Sequence, residues 1–221
     1  MKKIMFNDRY DLTQAVIDGR KTMTRRVIKC PDKCNGKEAY AYVVYRNAQN
    51  RDIWEVSVVD ANGYTIGYIT PKYQIGEIVA VAQSYNALNK SGYVAPEWLE
   101  HTCESSAGYK NKMFVRADLM PHRIRITDIK IERLQDITEE EALLEGVYKY
   151  DKPPLHHERD LFAPWPPDIK PYKHDMDNLK YRATARYAFA ALIDKVSGKG
   201  TWDSNPYVFV YEFELMRGGE Q

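Results

Sequence analysis

Cysteine is scarce in this chain, with three among 221 residues. That is too few for a disulfide framework and points to a reducing, cytoplasmic setting. Net charge is nearly absent. The 32 Lys and Arg face 31 Asp and Glu, leaving a formal +1. Proteins that coat nucleic acid through phosphate contacts carry a far larger surplus. Strong non-specific binding is therefore not expected, while a local basic site is still allowed. Long apolar runs are missing as well. The N-terminal MKKIMFNDRY holds no stretch that reads as a signal peptide, and no segment reads as membrane-spanning. No internal repeat is visible.

What is present is a core-forming composition, 44% hydrophobic, with 17 Tyr and 4 Trp. KKIMFN reads as a first strand and DRYDLTQAVIDG as a helix closed by Gly19. MTRRVI, YAYVVYR, DIWEVSVVD, YTIGYIT and IGEIVAV read as strands, with Asn62-Gly63 supplying a hairpin turn. Residues 84–111 read as irregular and polar. In the long strand region RIRITDIKIERL, Ile124 and Ile126 have one parity and Ile129 and Ile131 the other. A β-bulge at Thr127-Asp128 reconciles them. Thr138 and Glu141 form a capping box for a short helix that stops at Gly146. MDNLKYRATARYAFAALIDKVSG is the strongest helix, with Ala185, Phe189, Leu192, Ile193 and Val196 on its apolar face. In the last strand, Tyr207, Phe209, Tyr211, Phe213 and Leu215 share one side.

The densest charge lies in DGRKTMTRR, residues 18–26. A solvated strand edge uses such charges to discourage aggregation. The order of residues suggests chemistry too. Gly19 permits a tight turn, Lys21 follows two residues later, and Thr24 three after that. A Thr hydroxyl becomes a nucleophile when a base takes its proton, and a neutral lysine can serve. An ordinary lysine titrates near ~10.4, so the site must lower that value, at ~1.4 kcal/mol per unit. Arg25 and Arg26 push in that direction, and burial adds to it.

Gly19, Lys21, Thr24 and Arg26 match G-x-K-x-x-[TE]-x-R, and on these residues the chain resembles the ASCH domain family. The segments IGEIVAV, RIRITDIKIERL, ITEEEALLEG and GTWDSNPYVFVYEFEL extend the resemblance, over most of the chain, to ASCH-like proteins of phages and prophages. The resemblance implies an α+β fold, a PUA-like mixed β-barrel with flanking helices. It implies one domain over 1–221, with insertions at 30–75, 84–111 and 148–176. One branch of this superfamily consists of small bacterial amidohydrolases that deacylate N(4)-acetylcytidine. By resemblance to that branch, Lys21 is the base, Thr24 the nucleophile and Glu145 the acidic partner, with no cofactor. The substrate is then a modified nucleoside or nucleobase. The chain departs from these relatives in two ways. The amidohydrolases are about half its length, and Ala82-Gln83 stands where phage-type relatives more often carry an Arg-Glu pair.

Gly19, Arg20, Arg25 and Arg26 are the candidate substrate-binding residues of the first motif, and Arg123 and Arg125 could extend that basic surface. An RNA-binding module would use the same cleft, with Arg25 and Arg26 on the backbone and aromatics stacking. A phage accessory protein that binds a host protein is the third reading. A metal is not expected. The weak candidate is a zinc set of Cys30, Cys34, His101 and Cys103, whose spacing is unusual. His156, His157 and Glu158 lie in a Pro-rich loop and read as solvated, and Trp165 reads as a residue that pins that loop.

Overall fold

The computed structural model describes residues 1–47, 53–92, 105–150, 161–166 and 184–216. Its strands are β1 (Lys3–Ile4), β2 (Met23–Val27), β3 (Lys33–Cys34), β4 (Lys37–Glu38), β5 (Ala41–Arg46), β6 (Trp54–Val59), β7 (Thr65–Ile69), β8 (Ile78–Val81), β9 (Arg123–Arg133), β10 (Tyr148–Lys149), β11 (Phe162–Ala163) and β12 (Tyr207–Leu215). Its helices are α1 (Leu12–Ile17), α2 (Tyr85–Lys90), α3 (Ala107–Lys110), α4 (Glu139–Leu144), α5 (Ala185–Ser197) and α6 (Thr201–Ser204). The principal sheet runs β1-β8-β9-β12-β2, and β5-β6-β7 form a second sheet. Only β1 and β8 run parallel within the principal sheet. The fold is thus α+β, and among the described residues the sheets do not close into a barrel.

The bulge demanded by the isoleucine parity is present. Glu212 pairs with Asp128 and Phe213 with Ile126, which leaves Thr127 without an opposite residue. That extra residue turns Ile124, Ile126, Ile129 and Ile131 to one buried face. β12 is the hub, because its residues pair on both sides. Tyr211 stands between Thr24 and Ile129, and Val210 between Arg25 and Lys130. Cross-strand partners share a face. One face therefore carries Thr24, Arg26, Phe209, Tyr211 and Phe213, and the other Arg25, Val208, Val210, Lys130 and Glu132. The aromatic face is filled by Phe6 on Phe213 and Tyr73 on Tyr211, with ring centroids 5.8 and 5.3 Å apart. On the valine face, Phe189 of α5 lies against the Arg25 guanidinium, 6.0 Å from ring centre to carbon.

The helices begin and end for local reasons. The Thr138 hydroxyl accepts from Glu141 N–H, and the Glu141 carboxylate accepts from Thr138 N–H, completing the capping box of α4. α4 ends at Glu145, and Gly146 takes a left-handed φ of 95°, where a side chain is strained and would crowd Leu12 and Lys21. α5 is capped by Thr184, and its expected apolar face is buried apart from the half-buried Val196. Its expected start at residue 176 lies outside the described residues. Two expectations are corrected. The first helix does not run from residue 8, because Asp11 has a φ of 61° and separates a 3-10 turn at Asp8–Tyr10 from α1. Part of 84–111 is ordered, with Ser84 capping α2 and with Tyr85 and Leu88 buried against Ala82, Val115 and Met120. Among the described residues no helix is long and apolar enough to cross a membrane.

Candidate active site

β2 is an edge strand, and the turn before it is fastened from two sides. Lys21 N–H donates to Ala15 O of α1, and Thr22 N–H donates to Leu144 O of α4. This turn points the Lys21 side chain inward, where it is 2% exposed. Its ammonium donates to Met23 O at 2.7 Å, Glu145 O at 2.7 Å and Glu145 Oε2 at 2.6 Å. Those three bonds use every N–H of the group. Burial holds the Lys21 pKa below its ordinary 10.5, Glu145 opposes this, and Arg26 and Arg25 add to the depression.

Glu145 also accepts from Arg25, Nη1 to Oε1 at 3.2 Å. Arg25 goes on to Glu141 Oε2 at 2.6 Å and to Glu132, with Nε 3.1 Å from Oε1. Lys130 closes the chain, 2.6 Å from Glu141 Oε1 and 3.0 Å from Glu132 Oε2. Three cations and three carboxylates balance. Such a group tolerates removal from water only because each charge is paired. Arg25, expected to contact substrate, has a side chain 0% exposed and is enclosed by three carboxylates. Its position on β2 gives the reason. It faces the small Val210 and Val208 across the sheet, so a long side chain can reach over them to Glu132.

Lys21, Thr24, Arg25, Arg26 and Glu145 border one cavity of about 80 Å³, together with Phe6, Leu12 and Phe189. Thr24 is 5% exposed, and among the described residues its hydroxyl has no hydrogen-bond partner. The expected triad is therefore gathered in one wall, with the Lys21–Glu145 pair formed and no bond between Lys21 and Thr24. Thr24 and Arg25 lie on opposite faces of β2, and the Lys21 ammonium, held by Glu145, lies 5.7 Å from the centre of the Phe6 ring. Arg26 donates to Met5 O at 2.7 Å and lies 5.7 Å from the centre of the Phe6 ring. Among the described residues it meets no carboxylate.

The remaining expected residues lie elsewhere. Gly19 ends α1 with a φ of 75°. Arg20 turns back to Asp11, 2.9 Å, and Asp18, 3.7 Å. Arg125 pairs with Glu214 at 3.3 Å, and neither Arg123 nor Arg125 borders the cavity. Cys30 and Cys34 are free thiols. His101, Cys103, His156, His157 and Glu158 lie outside the described residues. Among the described residues no group of His, Cys, Asp and Glu is arranged to hold a metal. Trp165 is buried against the Tyr10 ring, 4.9 Å between centroids. Sequence reasoning missed Lys130 and Glu132. Their signal is alternation with Ile129 and Ile131 in a strand flanked on both sides, which places charges on a covered face. Glu141 was visible only as a helix cap.

No family model, no curated protein and no solved structure matches the chain.

Proposed function

We propose that the protein is an ASCH-type amidohydrolase of PUA-like ancestry, which removes a small acyl group from N(4)-acylated cytosine nucleosides or nucleobases. The observation that carries this reading is a buried, pKa-depressed lysine paired with a carboxylate beside an unpartnered threonine hydroxyl in the same cavity. A neutral Lys21 keeps two N–H donors, which match the carbonyls of Met23 and Glu145. The third N–H, which bonded Glu145 Oε2, is lost to solvent as a proton and leaves a lone pair in its place, while Arg25 continues to balance the Glu145 charge. The amine turns to Thr24 and takes the hydroxyl proton as Thr24 Oγ1 bonds to the acyl carbon. The oxyanion that develops faces Arg26, the cavity's cation without a carboxylate partner. The C–N bond breaks as Lys21 returns the proton to the leaving exocyclic amine. Water then cleaves the threonine ester, releases the carboxylic acid and restores the hydroxyl. A cavity of about 80 Å³ suits a small acyl group, so the base must occupy the wider space beyond Met5 and Arg26.

The test is incubation of the purified chain with N(4)-acetylcytidine and N(4)-acetylcytosine, following loss of the acylated chromophore, with Lys21→Ala as control. Turnover that disappears in the control supports the reading. No turnover of either compound by the parent protein overturns it.

A further inference from the structure

Beside this cavity lies a cleft of about 350 Å³, and Met5 and Arg26 stand in the walls of both. Its rim is one-sided. Lys3, Arg26, Lys29 and Lys72 border it, and among the described residues no carboxylate does. Several basic side chains elsewhere are paired with acids: Arg20 with Asp11, Lys112 with Asp8, Arg116 with Asp118 and Lys130 with Glu141. In the cleft their partners are neutral. Lys3 Nζ donates to the carbonyls of Met113 and Val115, the latter at 2.8 Å, and Arg26 donates to Met5 O. The Lys72 ammonium lies 5.3 Å from the centre of the Tyr73 ring. Lys29 is exposed and has no partner among the described residues. Carbonyls and rings orient these cations without cancelling their charge.

The floor keeps the field intact. Phe209, Tyr73 and Tyr211 are buried beneath the rim, a low-dielectric wall that focuses positive potential into the cleft. Both phenols are engaged. Tyr73 donates to Lys3 O at 3.0 Å, and Tyr211 accepts from Lys72 N–H at 2.9 Å. Burial pushes the Tyr73 phenol up to about 12, so it adds no negative charge near neutral pH. The Lys3 ammonium is drawn off to carbonyls outside the lining, and the remaining cations, Arg26, Lys29 and Lys72, over an uncharged floor form a site for a compact anion. In a chain of net charge +1, a short ligand fits better than a long nucleic acid.

We propose that this cleft binds the phosphate of a nucleoside monophosphate, so that the substrate class is an N(4)-acylated cytidine monophosphate. The binding site stands on the cleft alone, and its link to catalysis rests on the function proposed above. Phosphate on Lys29 and Lys72 would set the base toward the shared Met5–Arg26 wall and the acyl group toward Thr24.

Calorimetric titration of the full chain with cytidine monophosphate, cytidine and a cytidine oligonucleotide without terminal phosphate tests the site. The monophosphate is expected to bind at least about tenfold more tightly than cytidine, a difference of ~1.4 kcal/mol. The preference should weaken as salt rises. It should vanish in Lys29→Gln/Lys72→Gln and persist in Lys90→Gln on α2. Equal binding of monophosphate and cytidine overturns the site, as does a preference that survives the double substitution. Tighter binding of the oligonucleotide overturns the mononucleotide assignment and makes the cleft a strand site. Binding of the monophosphate that depends on Lys29 and Lys72, without hydrolysis of any acylated cytosine, upholds the phosphate site and removes the amidohydrolase. Hydrolysis of N(4)-acetylcytidine and its monophosphate with equal kcat/KM upholds the enzyme and overturns the monophosphate as its substrate class.

Discussion

Lys21 and Glu145, 124 positions apart, meet at 2.6 Å with neither side chain more than 5% exposed. The contact joins the turn before β2 to the end of α4, and it gives Glu145 a second cation besides Arg25. The lysine therefore has a structural role as well as the chemical one proposed, and the two separate by substitution.

Lys21→Ala should lower the unfolding free energy by about 3–5 kcal/mol, the usual cost of leaving one half of a buried ion pair behind. Urea denaturation measures this. Lys21→Arg keeps a cation that cannot give up its proton in this range. It should abolish turnover of N(4)-acetylcytidine in whatever fraction folds. An arginine variant as active as the parent would show that lysine is not the base.

The pH dependence has a definite sign. Lys21 titrates below 10.5 when folded, because burial outweighs Glu145. Below its folded pKa both states hold the proton, and the cost of burying the ammonium is fully present. Between the folded pKa and 10.5 the unfolded chain binds more protons, so this contribution to stability rises with pH. Lys21→Met should lack that rise, which stability curves from neutral to alkaline pH would reveal. The acylation rate should climb through the same folded pKa. Glu145→Gln removes the group that raises this pKa, so the limb should move to lower pH. A limb that stays in place or moves upward would break the link between Glu145 and the base.

Thr24→Val keeps the shape of the side chain and removes only the hydroxyl. That hydroxyl has no partner among the described residues, so stability should change by less than about 1 kcal/mol. Turnover should fall almost to nothing, while Thr24→Ser retains part of it. Full activity in the valine variant would remove Thr24 as nucleophile. Steady-state assays beside thermal melts separate the two effects.

Deleting Thr127 should be far worse than replacing it. Thr127 is exposed, and Thr127→Ala should cost within about 0.5 kcal/mol. Deletion takes out the bulge and turns Ile124 and Ile126 away from the face that Ile129 and Ile131 occupy. The expected result is loss of the cooperative unfolding transition, seen by circular dichroism. A deletion variant with a normal transition would mean that the two halves of β9 are paired differently.

Several of these features were legible in the amino-acid sequence. The isoleucine parity required the bulge at Thr127-Asp128, Thr138 and Glu141 marked the start of α4, and alternation along β12 marked its aromatic face. Each is a local rule, set by the two-residue period of a strand or by the orphan N–H groups of a helix end. The spacing of Gly19, Lys21 and Thr24 was equally visible, and so was Glu145. The environment of Arg25 was not. Its partners Glu132 and Glu141 lie 107 and 116 positions away, and they reach it because β12 pairs with both β2 and β9 in one particular register. The same register sets Thr24 and Arg25 on opposite faces, so that the threonine borders the cavity while the arginine joins the carboxylates of Glu132 and Glu141. The basic cleft is likewise tertiary. Lys3, Lys29 and Lys72 come from separate segments, and no local period relates them. Pattern along the chain determines which way a side chain points, while the pairing of distant strands decides which charges meet there and which are left to bind a ligand.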